Sequence, residues 1–183
     1  MRRKVASKFK ILSKQLIHRG RVFKLKKVNL CAPDGRRFQH DVIYHPGAAV
    51  IVPVLKTGEF VLVRQYRTAT NKMLLEFPAG TLEEGEAPLE CAKREIVEEI
   101  NYEAKQWKKL VTFYPAPGIS SELMHVFLAS DLRSKHGIVD KDEFLKPRIV
   151  TYQGLRKMIL TGKILDAKTI IGFFYYGCYR KRK

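Results

Sequence analysis

The chain has 183 residues, of which 45% are apolar and 10% aromatic, and this composition excludes a disordered or fibrous protein. The longest nearly apolar run, residues 47–55, is far shorter than the ~20 residues needed to cross a bilayer. Three widely spaced cysteines exclude a disulfide framework. We therefore expect a protein of the cytoplasm that does not contact a membrane.

The formal net charge of +17 is concentrated at the two ends of the chain. Eleven of the 35 basic residues lie in residues 1–33 and four in residues 180–183, and neither stretch contains an acid. The sequence between them is nearly neutral. Solvated basic ends are therefore favoured over a nucleic-acid site, and nucleic acid stays the lesser alternative as a partner.

The first predicted element is a β-hairpin over residues 22–44, built around the turn signal Ala-Pro-Asp-Gly at 32–35. The residues before it are interpreted as an ordinary basic N-terminus. Two strands alone are marginally stable in water, so we expect the hairpin to pack on the main domain or on another subunit. Pro46-Gly47 marks the boundary between an N-terminal part, 1–46, and a main domain, 47–183.

The main domain is predicted to begin with two buried strands, and its clearest helix follows them. Pro88 suits a first helical turn, apolar residues recur at spacings of three and four, and Asn101 can end a helix in the left-handed conformation. Asp166 is a good N-cap for the last helix. The predicted segments are strands at 48–55, 60–67, 107–114 and 122–129, helices at 88–100, 152–161 and 166–178, and a polar loop at 133–142.

Three carboxylates, Glu95, Glu98 and Glu99, share one face of the helix at 88–100. Arg94 has Glu90 and Glu98 four residues away on either side, and pairing there would leave Glu95 and Glu99 with no assigned cation. Such a pair suits a hard divalent ion such as Mg²⁺ or Mn²⁺. The alternative is a solvated acidic face.

The sequence before the helix favours the metal site. From Gly80, Gly-Thr-Leu-Glu-Glu-Gly-Glu leads to Arg94 and then to Glu-Ile-Val-Glu-Glu-Ile-Asn-Tyr, ending at Tyr102. This resembles the Nudix box, G-x5-E-x7-R-E-U-x-E-E-x-G-U, in which U is apolar or aromatic. The departure is Asn101 in place of the last Gly, and Asn tolerates the positive φ needed there.

The resemblance implies an α/β/α sandwich around a mixed sheet, with the small N-terminal antiparallel β subdomain beside it. It implies hydrolysis of a diphosphate with Mg²⁺ or Mn²⁺, two or more ions being held when substrate is bound. Carried over position by position, the metal ligands would be Glu95, Glu99 and the carbonyl of Ala79. Glu98 and Arg94 would support them, and Glu86 would be an outer member of the site.

The flanking segments 64–67, 75–80 and 114–122 resemble the ADP-ribose pyrophosphatase branch of the family. In that branch the small β domain pairs across a homodimer and helps to enclose the nucleoside. Arg67, Pro117 and Glu122 would bind substrate. Glu76 would contact substrate or the dimer partner, or alternatively form a salt bridge at the edge of the core.

The general base is the least determined residue. The branch uses an acid on a loop after the last long strand, and Glu143 is chosen because it directly precedes the apolar pair Phe-Leu at 144–145. Asp140 and Asp142 lie in the same loop, and Glu98 is the base used elsewhere in the family.

The expected reaction is hydrolysis of a nucleoside diphosphate sugar, with ADP-ribose giving AMP and ribose 5-phosphate. Alternatives within the family are hydrolysis of GDP-sugars or other nucleotide sugars and removal of diphosphate from the 5′ end of RNA. A non-catalytic nucleotide- or RNA-binding module is the alternative from another class. The presence of Glu95, Glu98 and Glu99 disfavours it.

Overall fold

The computed structural model describes residues 8–135 and 145–181. Contacts between residues divide the chain into two compact units. One unit contains residues 8–46 together with Ala116–Glu122, and the other contains residues 47–115 and the described residues from 123 to 181. No helix in either described part is long and apolar enough to span a membrane.

The first unit is an antiparallel sheet of three strands in the order β1-β2-β3. They are β1 (Lys10–Arg19), β2 (Lys24–Cys31) and β3 (Arg37–Tyr44). The hairpin predicted over 22–44 is β2 and β3, and β1 is an additional strand in the basic N-terminal stretch, where no element was predicted. Irregularities between Ile11 and Ser13 and between Leu16 and His18 interrupt the alternation of β1 and conceal its strand pattern.

Residues 116–122 join this sheet although they are distant from it in sequence. The amide of Ile43 donates to the carbonyl of Ile119, and the amide of Ser121 donates to the carbonyl of Ile43. The segment is therefore hydrogen-bonded to the end of β3.

The second unit contains two sheets. A four-stranded sheet has the order β7-β4-β9-β8, and a three-stranded antiparallel sheet has the order β10-β5-β6. The larger sheet is mixed because β4 and β9 run parallel while its other pairs are antiparallel. The strands are β4 (Ala48–Pro53), β5 (Phe60–Arg67), β6 (Lys72–Glu76), β7 (Ala79–Thr81), β8 (Tyr102–Phe113), β9 (Met124–Ser134) and β10 (Lys146–Val150).

Three of these strands, β6, β7 and β10, have no counterpart in the predicted elements. They have five residues or fewer, which is too short for a period-two pattern to stand out. Strand β9 also continues to Ser134, so the loop expected from residue 133 begins later.

The three predicted helices are confirmed with ends shifted by two residues at most: α1 (Pro88–Ile100), α2 (Tyr152–Leu160) and α3 (Ala167–Arg180). Asn101 has φ 58° and ψ 41°, the left-handed conformation expected at the end of α1. The Asp166 side chain accepts a hydrogen bond from the Thr169 amide and caps α3, as predicted.

Helices cover both faces of the second unit. Alternate residues of β4 point to opposite sides: Val50 and Val52 pack in a cluster with residues of α2 and α3, whereas Ala49 and Ile51 pack in a cluster with residues of α1. Because both faces are covered, every residue of β4 is buried. The α/β/α sandwich with a mixed sheet is thereby confirmed.

Candidate active site

Glu95 lies directly against the backbone of Gly80. Strand β7 pairs with β4 so that Gly80 stands opposite Ala49, and α1 crosses above it. A Cβ atom added at Gly80 would lie 1.7 Å from Oε1 of Glu95, so any side chain at residue 80 would displace the carboxylate. The glycine is required here by close approach and not by an unusual backbone conformation.

Glu99, one turn further along α1, contacts the neighbouring residue of the same strand. The amide of Ala79 donates to Oε2 of Glu99 at 3.1 Å, and Glu99 is only 5% exposed. The resemblance assigns the carbonyl of Ala79 to a metal, whereas the contact seen here is made by its amide. The structure nevertheless brings Ala79, Glu95 and Glu99 together at the junction of β7 and α1.

Arg94 is hydrogen-bonded to three carboxylates. Its Nε and Nη2 donate to the two oxygens of Glu86, each at 3.0 Å. Its Nη1 donates to Glu95 at 2.6 Å and to Glu98 at 3.0 Å. The hydrogen bonds to Glu86 are the main reason that the pKa of Arg94 is raised, against the opposing effect of burial.

Two expectations about this helix are corrected. Glu95 does have a protein cation, because Arg94 donates to it. Glu90 is not a partner of Arg94 and instead pairs with Lys93 at 2.9 Å. Helical spacing alone suggested Glu90, but Arg94 reaches out of the helix to Glu86 in the preceding loop.

The donor chemistry of this cluster fits a hard divalent cation. Three carboxylates surround the guanidinium of Arg94, and the side chains of Glu86 and Glu95 are only 15% and 12% exposed. Glu99 adds a fourth carboxylate, held by the Ala79 amide. Carboxylate oxygens are the ligands that Mg²⁺ and Mn²⁺ prefer. Within the described residues no three acidic, His or Cys side chains are already set to hold an ion. Binding would require Glu95 to exchange its contact with Arg94.

Cys91 lies beneath the cluster and is not a nucleophile. Its side chain is fully buried, with Sγ 3.5 Å from the carbonyl of Gly80. Burial, followed by the charges of Glu86 and Glu95, raises the pKa of the thiol to about 12. The thiol stays protonated at neutral pH and serves as a packing group.

Arg67 and Glu76 form a two-pronged ion pair between β5 and β6. Nε of Arg67 donates to Oε1 of Glu76 at 3.0 Å, and Nη2 donates to Oε2 at 2.7 Å. Glu76 is 1% exposed. Of the alternatives left open for Glu76, the structure shows the salt bridge at the edge of the core.

Neighbouring charges keep both members of this pair ionised. Burial opposes ionisation of Glu76, but the hydrogen bonds and charges of Arg67 and Lys168 outweigh it and hold the pKa below 4.5. The bond to Glu76 raises the pKa of Arg67, and the charge of Glu99 adds to the effect. The guanidinium therefore lies within electrostatic reach of the carboxylate cluster on α1.

Lys168 belongs to this group and was missed in the sequence. It is 6% exposed, and its Nζ donates to Glu76 and, at 2.9 Å, to Asp166. A lysine in the first turn of a helix is opposed by the helix dipole. The pattern Asp-Ala-Lys-Thr at the start of α3 could have indicated that this cation has a buried anionic partner.

The remaining predicted residues are distributed elsewhere. Pro117 and Glu122 belong to the first unit, where Oε1 of Glu122 lies 3.9 Å from Nδ1 of His45. Glu143, like Asp140 and Asp142, lies outside the described residues.

Comparison with known proteins identifies the class to which this site belongs. A family model described as the NUDIX domain matches residues 44–170. The ADP-ribose pyrophosphatase of Bacillus subtilis (strain 168) and the methanol dehydrogenase activator of Bacillus methanolicus are each 34% identical over 168 residues, with 91% of each chain covered. A solved structure described as an ADP compounds hydrolase superposes with a TM-score of 0.85 at 25% identity, covering 98% of this chain and 97% of that one.

The chain therefore belongs to the Nudix family, as a hydrolase of the pyrophosphatase type. The predicted resemblance to the ADP-ribose pyrophosphatase branch is confirmed by the same matches.

We predict that Glu76→Gln lowers the free energy of unfolding at pH 7 by about 3 kcal/mol, because it leaves Lys168 and Arg67 without their shared anion. The pKa of Glu76 is lowered on folding, so the stabilisation is fully present above pH 4.5 and is lost as the pH falls through the folded-state pKa. Urea unfolding of both proteins between pH 7 and 3 measures this. A stability difference that does not shrink on acidification would contradict the prediction.

Proposed function

We propose that this protein hydrolyses the diphosphate bond of ADP-ribose, releasing AMP and ribose 5-phosphate. The observation that carries the proposal is the carboxylate cluster of α1 packed against Gly80 and Ala79, in a chain that matches a relative named for this activity over 91% of both sequences. GDP-sugars and other nucleotide sugars are the alternative substrates.

Glu95, Glu99 and the carbonyl of Ala79 would hold Mg²⁺ or Mn²⁺, with further ions arriving with the substrate. A bound divalent ion supplies charge compensation for the diphosphate and lowers the pKa of a coordinated water. Glu99 is kept in position by the Ala79 amide. Arg94 links Glu86, Glu95 and Glu98 before an ion enters, and Glu95 would exchange this contact for the ion.

Arg67 is the proposed ligand of the substrate diphosphate. Its bonds to Glu76 use two of the five N–H donors of the guanidinium, so three donors remain for phosphate oxygens. The side chain is 39% exposed and can be reached by a ligand. Glu76 then acts by fixing the plane of the guanidinium and does not itself touch substrate.

The first unit is proposed to mediate a homodimer and to enclose the nucleoside. Strand β1 and the residue before it expose apolar side chains that a partner could cover, namely Phe9, Ile11, Leu12, Leu16 and Ile17. Pro117 and Glu122, proposed to contact substrate, belong to this unit. We accordingly propose residues 1–46 as the dimerisation part and 47–183 as the catalytic domain. The three free cysteines are consistent with a cytoplasmic location.

The proposal is tested by phosphate release, after coupling to a phosphatase, from ADP-ribose, GDP-mannose, UDP-glucose, NADH and triphosphorylated RNA with Mg²⁺. We expect ADP-ribose to have the highest kcat/KM, and Glu99→Gln to reduce turnover by at least a factor of about 10³. Glu90→Gln is the matched control on the same helix, because Glu90 pairs with Lys93 outside the cluster. Turnover of RNA alone, or of nothing, would refute the proposal.

The metal site is tested separately by Gly80→Ala. The added Cβ must push the Glu95 carboxylate aside, so the affinity for Mn²⁺ should fall by at least about tenfold while the protein stays folded. Electron paramagnetic resonance of free Mn²⁺ measures the affinity without substrate. Gly118→Ala is the control, since no heavy atom lies within 4 Å of its added Cβ. Unchanged Mn²⁺ affinity in Gly80→Ala would remove Glu95 from the ligand set.

Glu143 is proposed as the general base, with Asp140, Asp142 and Glu98 as alternatives. Its support is its position before the apolar pair at 144–145, as the resemblance implies. Glu143→Gln should lower kcat by about 10² or more with nearly unchanged metal affinity. Asp142→Asn is the matched comparison. A wild-type kcat in Glu143→Gln would assign the role to Asp142 or Glu98.

A further inference from the structure

Among the described residues, Lys168 is the one buried Lys or Arg. The proposed reaction assigns it no role. Its Nζ reaches Glu76, which is 92 residues away in sequence, and also Asp166 in its own helix. Burying an ammonium group is unfavourable unless it is paired and hydrogen-bonded. Lys168 meets that condition with two carboxylates.

The N-terminus of α3 is fixed to the end of β6 by a second set of bonds. The buried amide of Phe77 donates to Oγ1 of Thr169 at 2.7 Å. Oδ2 of Asp166 accepts from the amide of Thr169 at 3.0 Å and from its hydroxyl at 2.5 Å. Because the bond between Phe77 and Thr169 is neutral and holds the helix against the strand, the position of Lys168 does not depend on its charge alone.

The carboxylate of Glu76 therefore receives donors from two elements. Arg67 on β5 donates to both of its oxygens, and Lys168 on α3 donates to Oε2, which also accepts from Nη2 of Arg67. A carboxylate held from two directions cannot rotate, and a guanidinium bonded to it through two parallel bonds shares its plane. Sharing Oε2 with Lys168 also leaves more of the positive charge of Arg67 uncompensated.

We propose that Lys168 is a positioning residue that acts through Glu76 to preset the guanidinium of Arg67 for a diphosphate. This rests on the proposed function, in which Arg67 binds that group. A side chain already held in its binding geometry loses little conformational freedom when the ligand arrives. Arg67 is proposed to bind the diphosphate equally in the ground and transition states, so loss of Lys168 should raise KM more than it lowers kcat.

The test compares Lys168→Met, which removes the charge at similar length, with Lys163→Met, an exposed lysine close by. With ADP-ribose, Lys168→Met should raise KM about tenfold while kcat changes by about twofold or less, and Lys163→Met should change neither. Lys168→Arg, which keeps the charge, should restore part of the loss in KM. In an Arg67→Ala background, Lys168→Met should have no further effect on KM.

A readout without substrate follows the Nε–H of Arg67 by ¹⁵N NMR, assigned by its disappearance in Arg67→Lys. The signal should be sharp in the wild type at pH 7 and broadened by exchange in Lys168→Met, because a loosened ion pair exposes the proton to water. This signal tests the positioning even if ADP-ribose is not turned over, so failure of the proposed function and failure of the inference are distinguishable. Urea unfolding confirms that each variant is folded. Lys168→Gln, which removes the charge but stays polar, replaces Lys168→Met if that variant does not fold, and the same broadening is expected.

The inference is overturned by an unchanged Arg67 signal in a folded Lys168→Met protein. It is also overturned by a fall in kcat with KM unchanged, or by equal effects of Lys168→Met with and without Arg67. A loss of stability without a change in the Arg67 signal would make Lys168 a purely structural residue.

Discussion

The contact between Glu95 and the backbone of Gly80 is the constraint on which the candidate site depends. It brings α1 against β7 so closely that a single added carbon atom would lie 1.7 Å from a carboxylate oxygen. The same approach allows the Ala79 amide to reach Glu99 and buries Cys91 beneath the strand. A cluster of four carboxylates is tolerated there because Arg94 compensates part of its charge. Close packing of α1 on β7 thus positions the carboxylates, and the charge of Arg94 reduces the repulsion between them.

A second polar group, Arg67, Glu76 and Lys168, joins the neighbouring strands β5 and β6 to α3, whose lysine is 92 residues from Glu76 in sequence. The two groups differ in charge balance: acidic residues outnumber basic ones around α1, whereas Arg67 and Lys168 are balanced by Glu76 and Asp166. The Arg67 pair lies near enough to Glu99 for the two groups to influence each other electrostatically. In the proposed function the carboxylates of α1 would hold the divalent ions and the guanidinium of Arg67 would bind the phosphate oxygens.

The sequence predicted what depends on local patterns and fixed spacing. Pro88 and Asn101 predicted the ends of α1, and the Nudix box predicted the cluster of glutamates. Salt bridges between different elements were not predictable from the sequence. Arg94 pairs with Glu86 in the preceding loop and not with Glu90, and Glu76 pairs with Lys168 from the last helix. Strand β1 was missed because two irregularities break its alternation, and β7 because three residues carry too little pattern. Spacing along one helix does not reveal partners that tertiary packing supplies.

The bonds between Ile43 and the 116–122 segment make the first unit discontinuous in sequence. The chain completes β3, builds half of the second unit, returns to the first for seven residues, and then enters β9. The chain therefore passes between the two units three times, and cleavage of one peptide bond does not separate them. Removing residues 1–46 would leave the Ile119 carbonyl and the Ser121 amide without their partners on β3. The small sheet therefore stabilises the segment that leads into β9, and it is not an appendage that can be deleted independently.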